Sequence, residues 1–105
     1  MVAIPLTREE AIERLVIAEA GIRALGVRRL ALFGSVVRSE ARIDSDVDVP
    51  VEFAPGAKTY DRFLALSELL EGRLEHKVDL ITVQALSPFL GPHILAEAEN
   101  VLRAA

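Results

Sequence analysis

The segment Asp46-Val47-Asp48-Val49-Pro50-Val51 alternates apolar and non-apolar residues with a period of two. Successive side chains of an extended chain point to opposite faces. Val47, Val49 and Val51 therefore share one face, while Asp46 and Asp48 share the other with Pro50. A fold that accepts this segment needs an apolar core on one side and something that welcomes carboxylates on the other. The reading is a strand within residues 43–53, ended by Ala54-Pro55-Gly56.

The neighbouring segments carry their own signals. Thr7-Arg8-Glu9-Glu10 has the form of a capping box, with Thr7 as N-cap and Glu10 reaching back. Ile12, Leu15, Ile22 and Leu25 follow at helical spacing until Gly26, which predicts one helix up to that glycine. Residues 27–33 read as a strand running into Gly34-Ser35, and residues 36–42 as a short helix or turn. Phe63, Leu66, Leu70 and Leu74 mark a second long helix starting at Thr59 or Asp61. Residues 77–83 read as a third strand. Ser87-Pro88 has the form of a helix start, and a final helix restarted at Pro92 is expected to run toward Leu102. The order is α/β: a small sheet of about three strands flanked by helices. With 105 residues the expectation is a single domain spanning 1–105.

Composition closes several routes. Cysteine is absent, so disulfides, thiolate nucleophiles and thiolate zinc sites are excluded. The net charge of −4 leaves no basic footprint for direct nucleic-acid binding. No apolar run reaches the length of a membrane span, and the stretch 1–6 is too short for a signal-peptide core, so a cytoplasmic protein is expected. Hydrophobic residues make up 51% of the chain, which fits either an Ala- and Leu-rich core or a surface covered by a partner.

The candidate site follows from the strand carboxylates. Two carboxylates roughly 7 Å apart along one strand face can converge on a hard cation with oxygen ligands. Magnesium is usually held by one or two carboxylates plus substrate phosphates, which suits this pair. Asp79, within Val78-Asp79-Leu80-Ile81, is a third acid in an apolar strand. It is unfavourable there unless paired, bound to metal or sited at the sheet edge. If its strand lies beside Asp46 and Asp48, three acids meet, and a two-metal site can clamp the attacking and leaving oxygens of a phosphoryl-type transfer. Gly34-Ser35 precedes Asp46 by ten intervening residues. Glycine allows close backbone approach to a phosphate, Ser35 supplies a hydroxyl, and Arg38 lies about one turn further on. Each feature has a plainer alternative: a turn, a solvated strand end, an edge residue. Their joint order favours chemistry. An EF-hand beginning at Asp44 fails, because Val49 and Pro55 stand where glycine and glutamate are required. His76 and His93 lack a partner at metal-ligand spacing, and Tyr60 reads as a core or surface residue rather than a base-stacking one.

Gly34-Ser35-Val36-Val37-Arg38 followed by Ser45-Asp46-Val47-Asp48-Val49 resembles the Gly-Ser-x-x-Arg…Ser-Asp-x-Asp signature of the polymerase-β-like nucleotidyltransferases. The short length and the Lys77-Val78-Asp79-Leu80-Ile81 strand are similar to the minimal nucleotidyltransferases, antitoxin partners of HEPN-domain toxins. The similarity extends more weakly to Ala85-Leu86-Ser87-Pro88 and to residues 94–98. The resemblance implies a nucleotidyltransferase fold and Mg2+ ligands at Asp46, Asp48 and Asp79, with two ions expected. It implies ATP as substrate, held by Gly34, Ser35, Arg38 and Ser45. The implied reaction is transfer of AMP to a tyrosine hydroxyl of a HEPN ribonuclease toxin, with Asp79 also acting as general base and the two proteins forming a hetero-oligomer. The chain departs from the family pattern at Val37, Ser39 and Pro50. A proline there is expected only at a strand edge or bulge. Pro50 and the high hydrophobicity motivate the alternative, a catalytically weak or inactive module of the same fold that neutralises the toxin by binding.

Overall fold

The computed structural model describes residues 6–34, 37, 46–82, 92 and 96–103. Thr7 caps the first helix, α1 (Arg8–Ile17), its hydroxyl accepting from the Glu10 N–H at 3.1 Å. Only this half of the capping box forms. The Glu10 carboxylate instead faces Arg14 at 3.5 Å, one turn ahead. The expected single helix is two: α1 stops at Ala18, and α2 (Glu19–Ala24) continues to a turn at Gly26, where φ is +88°. The β-branched pair Val16-Ile17 weakens the helix there. The buried series Ala11, Leu15, Ala18 and Ile22 still runs at helical spacing through the break, so both segments present one apolar face.

Strand β1 (Val27–Leu32) leads out of that turn. Strand β2 (Val47–Phe53) follows, and the turn at Pro55, Gly56 and Ala57 ends it as expected. Helix α3 (Tyr60–Leu74) is capped by Thr59, whose hydroxyl accepts from Arg62 N–H at 3.1 Å. It buries Leu66, Leu70 and Leu74 fully, while Phe63 is half-buried. Glu75 closes the helix in the left-handed region, and β3 (Val78–Thr82) follows. The Glu71 carboxylate accepts from the first strand N–H, that of Val78, at 3.0 Å, and so ties helix to strand.

The sheet is mixed and four-stranded, in the order β3-β2-β1-β4. β2 runs antiparallel to β1 and parallel to β3. The fourth strand, β4 (Glu99–Leu102), pairs antiparallel with β1 and corrects the expected sheet of about three strands. Residues expected to end a helix are therefore extended. Among the described residues of the final segment only Pro92, Ala96 and Glu97 are helical. The cause is tertiary. The second edge of β1 carries backbone donors and acceptors that need partners. Leu102, set opposite Leu30, is also drawn into the core at 3% exposure. Arg8 pairs with Glu99, and Arg23 donates to the Arg103 carbonyl at 2.8 Å, anchoring both ends of β4 to the helices. The expected short helix at 36–42, apart from Val37, and the Ser87-Pro88 helix start lie outside the described residues.

One core joins these elements. Val47, Val49, Val51 and Phe53 of β2, Leu30 and Leu32 of β1, and the buried helix leucines form a single cluster. No helix among the described residues is long and apolar enough to cross a membrane. Leu70 is fully buried in this cluster. Leu70→Ala is expected to lower unfolding free energy by about 2–5 kcal/mol, because the contacts are lost and the cavity only partly collapses. Urea denaturation followed by circular dichroism measures it.

Candidate active site

The parallel pairing of β2 and β3 sets Val47 opposite Val78, Asp48 opposite Asp79, Val49 opposite Leu80 and Val51 opposite Thr82. Val78 and Leu80 pack against the core, as the β2 valines do. Asp48 and Asp79 consequently stand side by side on the face turned away from the helices, with roughly 4.8 Å between their strands. Asp46 comes one residue before β2 and is exposed, on the same side by alternation. Asp79 is exposed on β3, which is an edge strand among the described residues, so solvent relieves part of its cost.

Gly34 meets this pair from the other neighbour of β2. Phe33 bridges to Asp48, its N–H donating to the Asp48 carbonyl at 3.0 Å. Gly34 then turns with φ +83°, and its carbonyl accepts from the Val37 N–H at 3.1 Å. A Cβ on Gly34 would stand 2.6 Å from Oδ2 of Asp48. Glycine is required here twice over: for the left-handed backbone, and because the carboxylate occupies the place of a side chain. The turn and the strand acid, separated by the chain segment between them, are thus in contact. A cavity of about 270 Å³ opens beside them, lined by Phe33, Gly34, Val37 and Glu97.

Ser35, Arg38 and Ser45 lie outside the described residues. Of the remaining candidates, the fold brings Gly34, Asp48 and Asp79 together and keeps Asp46 on their face. Among the described residues no three Asp, Glu, His or Cys side chains gather closely enough to hold a metal ion alone. The donor set still fits magnesium, since one or two carboxylates suffice when substrate phosphates complete the shell. Like charges placed directly beside one another across a sheet are unfavourable, and a bound cation reverses that balance. Phe33 and Glu97 were not anticipated. Phe33 adjoins the glycine turn and could have been included on that ground, whereas Glu97 comes from the C-terminal segment and carries no local signal. Tyr60 is 78% exposed at the start of α3, and the His76 ring nitrogen Nδ1 lies 2.8 Å from the Leu74 carbonyl, consistent with ordinary structural roles. His93 lies outside the described residues.

Pro50 corrects an expectation. It sits in an interior strand, not at an edge, paired in register with Ile81 of β3. The β1–β2 register runs through Arg29↔Glu52 and Leu30↔Val51 and is resumed by the Phe33↔Asp48 bridge, and Pro50 lies in the interval.

A mixed sheet with helices behind it and an acid pair over a glycine turn is the architecture of a nucleotidyltransferase. The family model for polymerase β nucleotidyltransferases matches residues 17–104, and the chain belongs to that family. Protein adenylyltransferase MntA of Thermococcus cleftensis is 40% identical over 76 residues, covering 72% of this chain and 76% of its own. A candidate protein adenylyltransferase of Methanocaldococcus jannaschii is 40% identical over 77 residues, covering 73% and 82%. Among solved structures, that of a candidate minimal nucleotidyltransferase superposes with a TM-score of 0.78 at 36% identity, over 88% of this chain and 93% of that one. A chain from the complex of a tri-AMPylated Shewanella oneidensis HEPN toxin with its MNT antitoxin matches with a TM-score of 0.64 at 17% identity, over 93% and 74%; this likeness is one of fold.

The contact between Gly34 and Asp48 yields a coupling. Gly34→Ala is expected to destabilise the protein by about 1–3 kcal/mol through backbone strain, with the carboxylate clash adding to it. In an Asp48→Ala background the clash is gone and the same substitution costs less. A double-mutant cycle by urea denaturation reads the difference.

Proposed function

We propose that this chain is a magnesium-dependent protein adenylyltransferase. It transfers AMP from ATP to a tyrosine hydroxyl of a HEPN-domain toxin and so acts as the antitoxin of a hetero-oligomeric pair. The observation that carries the proposal is the meeting of Asp48 with Asp79 in register and with Gly34 in contact. The adenylyltransferase names of the relatives and the HEPN partner in the structural neighbour support the acceptor class.

In this reading Gly34, Ser35, Arg38 and Ser45 hold the nucleotide phosphates, and Asp46, Asp48 and Asp79 hold magnesium. When bound, the ion neutralises phosphate charge and favours departure of pyrophosphate. The acceptor oxygen attacks the α-phosphorus. A new O–P bond forms as the bond to the bridging β-phosphate oxygen breaks, and pyrophosphate leaves with that electron pair. Asp79, exposed at the edge of the pair, takes the hydroxyl proton.

A second reading, toxin neutralisation by binding with little catalysis, rests on Pro50 in the interior strand and on the apolar side chains of Val16, Ile17 and Leu64, each at least 45% exposed. The two readings separate in one experiment. A HEPN-domain toxin from the same source is incubated with this chain, ATP and magnesium, then weighed intact by mass spectrometry. Mass gained in whole AMP units is expected, with the rate falling at least about 100-fold in the Asp46→Ala/Asp48→Ala variant. A tight complex without mass gain would establish the binding reading. Peptide mapping of the labelled partner then tests the tyrosine assignment.

A further inference from the structure

Lys77 has no assigned role, yet the pairing places it inside the same constellation. Val47 N–H donates to the Lys77 carbonyl at 2.8 Å, one of the bonds of the Val47↔Val78 pairing that opens the β2–β3 ladder. Asp46 and Lys77 are the residues that immediately precede that pairing on the two chain segments, and both are exposed. Val78 and Leu80 face the core, so Lys77 and Asp79 face the opposite way by alternation. The acid-bearing face therefore carries the Asp48–Asp79 pair, with Asp46 and Lys77 next to it where the chain enters β2 and β3.

Lys77 is exposed, and among the described residues it takes part in no ion pair. An exposed ammonium on a flexible stem, at the same end of the sheet as Asp46, Asp48 and Asp79, is free to reach an anion bound over those acids. The chain has ten arginines but only two lysines, and the other, Lys58, lies over the Phe63 ring near the start of α3. Three carboxylates at one sheet end repel a nucleotide triphosphate wherever the bound cation does not cover them. A mobile point charge at the rim offsets that repulsion and reaches phosphate oxygens from the β3 side, opposite the Gly34 turn.

We infer that Lys77 is a phosphate-binding residue of the nucleotide site, contacting the polyphosphate of the metal–nucleotide complex. The inference rests on the proposed nucleotidyl transfer at this site. It is tested by isothermal titration of magnesium–AMP-PNP into the full chain carrying Lys77→Met or Lys77→Arg. Lys77→Met keeps the apolar stem and removes the charge, and it is expected to weaken binding about ten-fold, as loss of one charge-assisted hydrogen bond does. Lys77→Arg is expected to stay within about two-fold of the parent. Unfolding midpoints within a degree or so of the parent are expected for both, since the side chain supports no packing.

Parent-like affinity in Lys77→Met would overturn the inference while leaving the transfer reading intact. Equal weakening in both variants would also overturn it, because a retained charge should retain binding. A parent chain that binds no magnesium–AMP-PNP would remove the transfer reading and this inference together. In the AMP-transfer assay the expected signature is a raised KM for ATP with little change in kcat.

Discussion

The register of β2 is the constraint on which the rest of the structure depends. Its valines must face the helices, and a slip of one residue would turn every one of them to solvent. Burial of Val47, Val49 and Val51 at 2% exposure or less therefore also decides where the acids point. The same burial selects the parallel alignment with β3, where Val78 and Leu80 meet the same core. Asp48 and Asp79 are brought together by apolar packing on the far side of the sheet. No attraction between them is needed, and none is available.

Negative charge is gathered this way at little cost to the fold because of where it sits. Asp46 precedes the strand, Asp79 lies on an edge strand open to water, and only Asp48 is half-buried. That one carboxylate is the one fitted against Gly34. Further along the same face Glu52 is partnered by Arg29 at 3.4 Å in the paired register, so Asp46, Asp48 and Asp79 gather at one end of the sheet and an ion pair occupies the other. A charge-rich end is what a site for a cation and an anionic nucleotide requires.

Much of this was legible in the sequence where the deciding physics is local. Thr7 and Thr59 cap as short polar residues before apolar runs do, and Leu66, Leu70 and Leu74 declare the buried face of α3 by spacing alone. The acid face of β2 follows from alternation, and the pairing with Asp79 follows once the strands are adjacent. What escaped depends on distant partners. Glu99–Leu102 is extended because β1 has a second edge to satisfy and Leu102 a place in the core, and neither can be read from Ala- and Glu-rich neighbours that favour a helix. The break at Ala18 leaves the hydrophobic period undisturbed, so periodicity could not reveal it. Glu97 reaches the cavity by Gly34 only through the chain's return to β1.

Pro50 now takes a definite place in this arrangement. Val47 donates toward β3, and the Asp48 carbonyl accepts from Phe33, the residue that follows β1, so backbone groups of even-numbered β2 residues face β1. The donor that proline lacks is therefore missing from the β1 side, while the β2–β3 register runs unbroken from Val47↔Val78 to Val51↔Thr82. The spacing of Asp48 and Asp79 is held by the continuous ladder. The Gly34 turn is held to Asp48 by the Phe33 bridge and by close packing, beyond the interval where Pro50 sits. Proline thus leaves the carboxylate pair on the unbroken side of β2 and confines its missing donor to the side of β1, between the Leu30↔Val51 pair and the Phe33↔Asp48 bridge.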